Sequence, residues 1–110
     1  MRASDWHGTF ATPTNYPGGS SPSALGVGDL NRDGYLDIVV TQSTNIAISV
    51  YFGLADGKFG AGVDYPAGAK PMGVAVGDLN GDGWPDVVTA NFDGGGYGIL
   101  WNRGIVCGVR

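Results

Sequence analysis

The feature of this chain that most constrains its fold is an internal repeat at a fixed offset of 49 residues. Residues 27–31 and 76–80 both read Val-Gly-Asp-Leu-Asn, and Phe10 and Phe59 match in the same register without a gap. Agreement at many positions under one offset indicates two copies of one structural unit. Such units bury apolar surface by packing against their neighbours.

The composition narrows the class of that unit. The 110 residues include 21 Gly and 6 Pro, no Glu, and lysine only at positions 58 and 70, so strong helix formers are scarce. The hydrophobic fraction of 43% is too high for a disordered chain. Together these properties predict an all-β fold.

Four short strands fit each unit, because apolar residues alternate or form β-branched runs between turn residues. The strands expected in unit one are Leu25 to Gly28, Asp37 to Thr41, Ile46 to Phe52 and Phe59 to Tyr65. Their expected equivalents are Val74 to Gly77, Asp86 to Ala90 and Tyr97 to Trp101, with Phe10 to Tyr16 as a lone fourth strand at the N-terminus.

A unit of this size with four strands is typical of a β-propeller blade. The division expected is an N-terminal segment at 1–21 that carries the lone outer strand, a first blade at 22–70, and a second blade at 71–110 without its own outer strand. A β-sandwich and a parallel β-helix are the alternatives.

The turns between the first two strands carry the candidate chemistry. Oxygen-bearing side chains occupy positions 1, 3, 5 and 9, and the carbonyl at position 7 is a further candidate ligand. The glycine at position 6 is expected to take a positive φ at the sharp bend. The two sets are Asp29, Asn31, Asp33, Tyr35 (carbonyl) and Asp37, and Asp78, Asn80, Asp82, Trp84 (carbonyl) and Asp86. Hard oxygen donors without His or Cys favour Ca²⁺ over Zn²⁺, with two ions per chain. Asp and Asn are also ordinary turn residues, which is the structural alternative.

Position 12 of each turn excludes an EF-hand, because Val40 and Thr89 stand where that loop needs a bidentate Glu. Residues 27–40 (VGDLNRDGYLDIVV) and 76–89 (VGDLNGDGWPDVVT) instead resemble the FG-GAP/VCBS repeats of integrin-type β-propellers. The resemblance implies one blade per repeat, Ca²⁺ bound at the ten positions named above, and rings that most often have seven blades. Two departures are Asn at position 3, where Asp is commoner, and the lack of an evident fourth strand after Trp101.

The charge and residue inventory favours a binding module over an enzyme. The net charge is −4, there is no basic cluster for nucleic acid, and no apolar run is long enough to cross a membrane. The only histidine is His7, and the clustered carboxylates are assigned to metal cages, so acid–base pairs are scarce. Lectin-like or adhesin-like binding of a glycan or cell-surface ligand is expected, with Trp84 and Tyr35 as contacts. A purely structural interaction module is the alternative.

The phase of the repeat predicts self-assembly. The lone strand Phe10 to Tyr16 of one subunit is expected to pair with Tyr97 to Trp101 of the next. Three chains give six blades and four give eight, with the trimer favoured. A fragment of a longer propeller is the competing explanation. Residues Met1 to Phe10 lack a secretory signal, although millimolar extracellular calcium favours a secreted or cell-surface location.

Overall fold

The computed structural model describes residues 10–19, 21–44, 46–93 and 95–104. All regular structure in these ranges is β-structure, and none of it is a helix that could span a membrane. The strands are β1 (Pro22–Gly28), β2 (Asp37–Gln42), β3 (Ala47–Tyr51), β4 (Val63–Pro66), β5 (Pro71–Gly77), β6 (Asp86–Asn91) and β7 (Gly96–Leu100).

The strands form two antiparallel sheets in simple meander order. The first sheet contains β1-β2-β3-β4 and the second contains β5-β6-β7. The register repeats at the same offset as the sequence, since Ile38 pairs with Tyr51 and Val87 pairs with Leu100. The antiparallel pairing excludes a parallel β-helix, and each sheet has the strand order of a propeller blade. We call the sheets blade 1 and blade 2.

Successive side chains along a strand point to opposite faces of its sheet, and in each blade both faces carry apolar residues. The front face is the one that carries Leu25, Val27, Ile38, Val40 and Tyr51 in blade 1, and Val74, Val76, Val87 and Leu100 in blade 2. The back face carries Val39, Ile48 and Val50 in blade 1, and Val88, Tyr97 and Ile99 in blade 2. The core forms where the back face of blade 1, with Leu30 and Phe52, packs on the front face of blade 2.

The expected strands are found with shifted ends, and two of these shifts follow from local structure. Ile46 has φ of 46°, which a strand does not allow, so β3 begins at Ala47. The fourth strand is shorter than expected, because Phe59 forms only an isolated bridge with Gly53 before β4 begins at Val63.

The lone N-terminal strand expected at Phe10 to Tyr16 is not formed in the single chain. Residues 11–19 have no regular structure, and Phe10 makes only a bridge. The Tyr16 ring packs edge-on against Phe59, with 5.6 Å between the ring centroids. The segment lies against blade 1 through this ring contact and is not a hydrogen-bonded member of either sheet.

Candidate metal centre

An acidic loop joins the first and second strands of each blade: loop 1 is residues 29–37 and loop 2 is residues 78–86. Their bend is the one expected. Gly34 has φ of 91° and Gly83 has φ of 89°, which confirms the left-handed glycine predicted at position 6 of each loop. An added Cβ at Gly34 would meet no atom within 4 Å. The requirement at this position is therefore conformational and does not come from crowding.

The carboxylate at position 1 organises each loop from within. Asp29 accepts hydrogen bonds from the backbone N–H groups of Asp33 (3.1 Å) and Gly34 (2.9 Å). Asp78 accepts the equivalent bonds from Asp82 (3.2 Å) and Gly83 (2.8 Å). The bond from Gly83, aided by those from neighbouring amides, holds the pKa of Asp78 below its usual value. This carboxylate therefore stays ionised at neutral pH.

The carboxylate at position 5 makes a short-range turn in both loops. Asp33 accepts a hydrogen bond from the N–H of Tyr35, and Asp82 accepts one from the N–H of Trp84, each at 3.0 Å. Only one oxygen of each carboxylate is used in this way. Both side chains belong to exposed residues, so their remaining lone pairs are accessible to a cation.

The carboxylate at position 9 has a structural role that the spacing alone did not reveal. Asp37 is fully buried, and its two oxygens accept the N–H groups of Leu30 and Gly53, both at 2.8 Å. Burial raises the pKa of Asp37, the nearby Asp33 and Asp29 carboxylates add to the rise, and the two amide bonds oppose it. Asp37 thus fastens the loop to the end of the third strand.

The second loop repeats this anchor. Asp86 is fully buried and accepts the N–H groups of Leu79 (3.0 Å) and Asn102 (2.8 Å). Gly53 and Asn102 occupy equivalent repeat positions, so both loops are anchored by the same kind of backbone hydrogen bond. The repeat offset is the feature of the sequence that relates these two anchoring residues, although neither belongs to the acidic motif.

Two observations bear on whether the loops suit a cation. In loop 2, one oxygen from each of Asp78, Asp82 and Asp86 lies within 4.8 Å of the others, and this is the one such acidic group among the described residues. In loop 1, the buried Oδ1 of Asn31 has no hydrogen-bond partner. Its equivalent in loop 2, Asn80 Oδ1, accepts the N–H of Asp82 at 3.3 Å. The donors are all oxygen, which fits a hard divalent cation such as Ca²⁺.

The aromatic residues at position 7 lie in different environments. Tyr35 is 44% exposed, whereas Trp84 is half-buried. The Arg32 guanidinium lies 5.0 Å from the centroid of the Trp84 ring, and a Cβ added at Gly104 would lie 3.6 Å from that ring. Sequence reasoning missed this stacking. The available signal was that Arg32 stands where the other repeat has Gly81, which is a difference between the two loops.

Comparison with known families now connects this geometry to a class of proteins. A model described as an FG-GAP-like repeat matches residues 2–40 and 41–89. Both matches end at equivalent positions, Val40 and Thr89, just after an acidic loop. No curated protein and no solved structure matches the chain. Because the two matches span about four-fifths of its length, the chain belongs to the family of FG-GAP-like repeat proteins.

Proposed function

We propose that this chain is a calcium-stabilised interaction module of the β-propeller type, with one Ca²⁺ in each acidic loop. The observation that carries the proposal is the convergence of Asp78, Asp82 and Asp86 in loop 2. Like charges about 4 Å apart repel by roughly 1 kcal/mol per pair even in water. A divalent cation between them replaces this repulsion with attraction.

The residues of each loop have separate tasks in this proposal. Position 1 shapes the loop through its backbone hydrogen bonds, and position 5 presents a free carboxylate oxygen. Position 9 holds the loop against the third strand and retains lone pairs on its oxygens. In loop 1, the unpartnered Asn31 Oδ1 is a ligand whose burial cost a cation would offset. The ion supplies positive charge and links these groups.

Thermal unfolding with calcium and with a chelator tests the proposal. Binding stabilises the native state by RT ln(1 + [L]/Kd), about 2.7 kcal/mol per site at a hundredfold excess over Kd. Asp82→Ala should abolish the part of this gain that comes from loop 2. Asp56→Ala is the matched control, because Asp56 makes the same kind of turn bond, to Lys58 N–H at 3.0 Å, outside both loops. Equal melting temperatures with calcium and chelator would refute the calcium assignment.

We further propose that the loop end of the module binds a glycan or a cell-surface ligand in a lectin-like or adhesin-like manner. The exposed ring of Tyr35 and the half-buried ring of Trp84 stand at this end, and aromatic rings with a polar edge suit sugar faces and protein interfaces. A glycan array in calcium should show binding that Tyr35→Ala weakens. Exposed Phe92 follows β6 at the end of the strand opposite the acidic loop, so Phe92→Ala serves as the control. Absence of binding to every glycan would favour a purely structural interaction module.

A further inference from the structure

The chain exposes two faces that are repeat equivalents of the two faces packed together inside it. The back face of blade 1 packs on the front face of blade 2 and forms the core. The front face of blade 1 is the repeat equivalent of the packed front face of blade 2, and the back face of blade 2 is the repeat equivalent of the packed back face of blade 1. No third sheet covers these two faces within the described ranges. One chain therefore carries both halves of a second interface of the same kind.

Repeat-equivalent residues of the two blades differ in their exposed fractions. Leu30 is 1% exposed, whereas its equivalent Leu79 is 51% exposed. Ile48 is 2% exposed on the back face of blade 1, whereas Tyr97 is 75% exposed on the back face of blade 2. These pairs share their place in the blade, but only the blade 1 residues have another blade over them, and only Ile48 has a fourth strand beside it. In stacked repeats, an apolar residue buried in one copy and exposed in the other marks a surface that a further repeat would cover.

The front face of blade 1 is already shaped to receive a blade. It forms a groove of about 760 Å³. The lining includes Tyr16, Leu25, Ile38 and Tyr51, whose repeat equivalents Tyr65, Val74, Val87 and Leu100 belong to the core or pack against it. The groove thus corresponds to the space between the two blades, without the back face that fills that space inside the chain.

The N-terminal segment contacts blade 1 in the same way that the chain following β4 contacts blade 2. Gln42 Nε2 donates a hydrogen bond to the carbonyl of Gly18 at 2.6 Å. A Cβ at Gly19 would overlap the Gln42 side chain, and a Cβ at Gly68 would overlap the equivalent Asn91 side chain. The segment therefore already lies where the end of a preceding blade would place it.

We propose that a second copy of this chain covers each free face, with the back face of blade 2 in one copy packed on the front face of blade 1 in the next. The intrachain interface supplies the template: Val27 of one copy would meet Gly77 of the other, as Val76 meets Gly28 within the chain. This inference names the partner of the proposed propeller module and rests on that module, but it does not depend on calcium.

The same template gives the pairing between subunits. Inside blade 1, Ile48 pairs with Tyr65 and Ser49 pairs with Asp64. Shifting these pairs by one repeat places Tyr16 of one copy opposite Tyr97 of the next, and Asn15 opposite Gly98. The N-terminal segment then completes blade 2 of the neighbour as its fourth strand. This pairing also covers the open edge of β7.

The interface joins two different faces, so it is heterologous and closes into a ring when the rotation between blades permits. Propeller rings contain about four to eight blades, which three or four two-blade chains supply. Light scattering should give about 34 kDa for three chains of 11.3 kDa, the favoured ring, or about 45 kDa for four. A monomer of 11.3 kDa overturns the proposal.

A pair of glycine substitutions distinguishes this interface from other modes of association. A Cβ at Gly28 would lie 2.5 Å from Val76 Cγ1, whereas a Cβ at Gly77 meets nothing within 4 Å in the single chain. Gly77→Ala should leave the subunit fold unchanged by circular dichroism and weaken association by about tenfold or more, because overpacking an interface is unfavourable.

The control is Gly73→Ala on the same face of blade 2. Its repeat equivalent is Ala24, so the intrachain interface already accommodates a methyl group at this position. Association should be unchanged in this variant. An oligomer of any size that Gly77→Ala does not affect would mean another contact mode and overturn the proposal.

A disulfide between subunits tests the register directly. In a Cys107→Ser background, Asn15→Cys combined with Gly98→Cys should give covalent oligomers after mild oxidation. The control is Ser49→Cys with Asp64→Cys, whose wild-type side chains meet within one chain through a hydrogen bond of 2.5 Å, and it should remain monomeric under denaturing conditions. Absence of covalent oligomers in the first variant contradicts the register. A calcium-dependent melting shift in a monomeric protein would refute this inference alone.

Discussion

Replacement of Asp37 should destabilise the protein even when calcium is absent. The two oxygens of this buried carboxylate accept N–H groups from Leu30 and Gly53 at 2.8 Å. Hydrogen bonds to a charged acceptor contribute roughly 1.5–3 kcal/mol each. Asp37→Ala removes both bonds and leaves two buried donors unsatisfied, so we expect a loss of about 3–6 kcal/mol in unfolding free energy.

The assay is urea denaturation in excess chelator, followed by circular dichroism. A loss of this size is comparable to the whole stability of many small domains, so Asp37→Asn provides a milder variant. The asparagine retains one acceptor and presents an amide to the second N–H, so it should lose roughly half as much. Asp33→Ala is the control, because Asp33 makes one exposed turn bond and should matter mainly when calcium is present. Equal stability of Asp37→Ala and wild type in chelator would refute the anchoring role.

Three further variants examine the loops and the contact between blades. Asn31→Ala should weaken calcium binding in calorimetry, yet leave stability in chelator unchanged or raised by up to about 1 kcal/mol, because it removes an unpartnered buried oxygen. Gly34→Val should lower calcium affinity, since valine is strained at φ of 91°; unchanged affinity would argue against the bend. Asn102→Ala removes bonds from Nδ2 to the carbonyls of Leu30 (2.8 Å) and Pro85 (2.9 Å) and should lower the unfolding free energy by about 2–4 kcal/mol in chemical denaturation.

The repeat made most of the fold predictable, because local pattern and turn chemistry agree in both copies. The ends of strands were less predictable where they depend on distant contacts. β1 begins at Pro22 and not at Leu25, and Ser23 there donates a hydrogen bond to the Pro71 carbonyl (2.8 Å), a contact between blades. The strand expected at Phe10 to Tyr16 is not formed in the single chain, where this segment contacts blade 1 through Tyr16 and Gly18.

The candidate site was predictable at the level of residue type but not of role. Spacing identified Asp37 and Asp86 as candidate ligands, yet it could not show that their oxygens bind backbone amides 16 residues away, at Gly53 and Asn102. Those partners lie outside the motif, at the end of the third strand. Their role follows from sheet register, which the sequence specifies only through the packing of whole blades.

The stacking of Arg32 on Trp84 has a consequence for how the loops fill. The two residues belong to different acidic loops, so a cation that ordered one loop would also restrict a side chain of the other. Conformational entropy lost at the first binding event is then not lost again at the second. Calcium titrations should accordingly be sigmoidal, with a Hill coefficient above 1 that returns to 1 in Arg32→Ala. Two chemically separate sites would thereby respond to calcium over a narrow concentration range, as a single threshold.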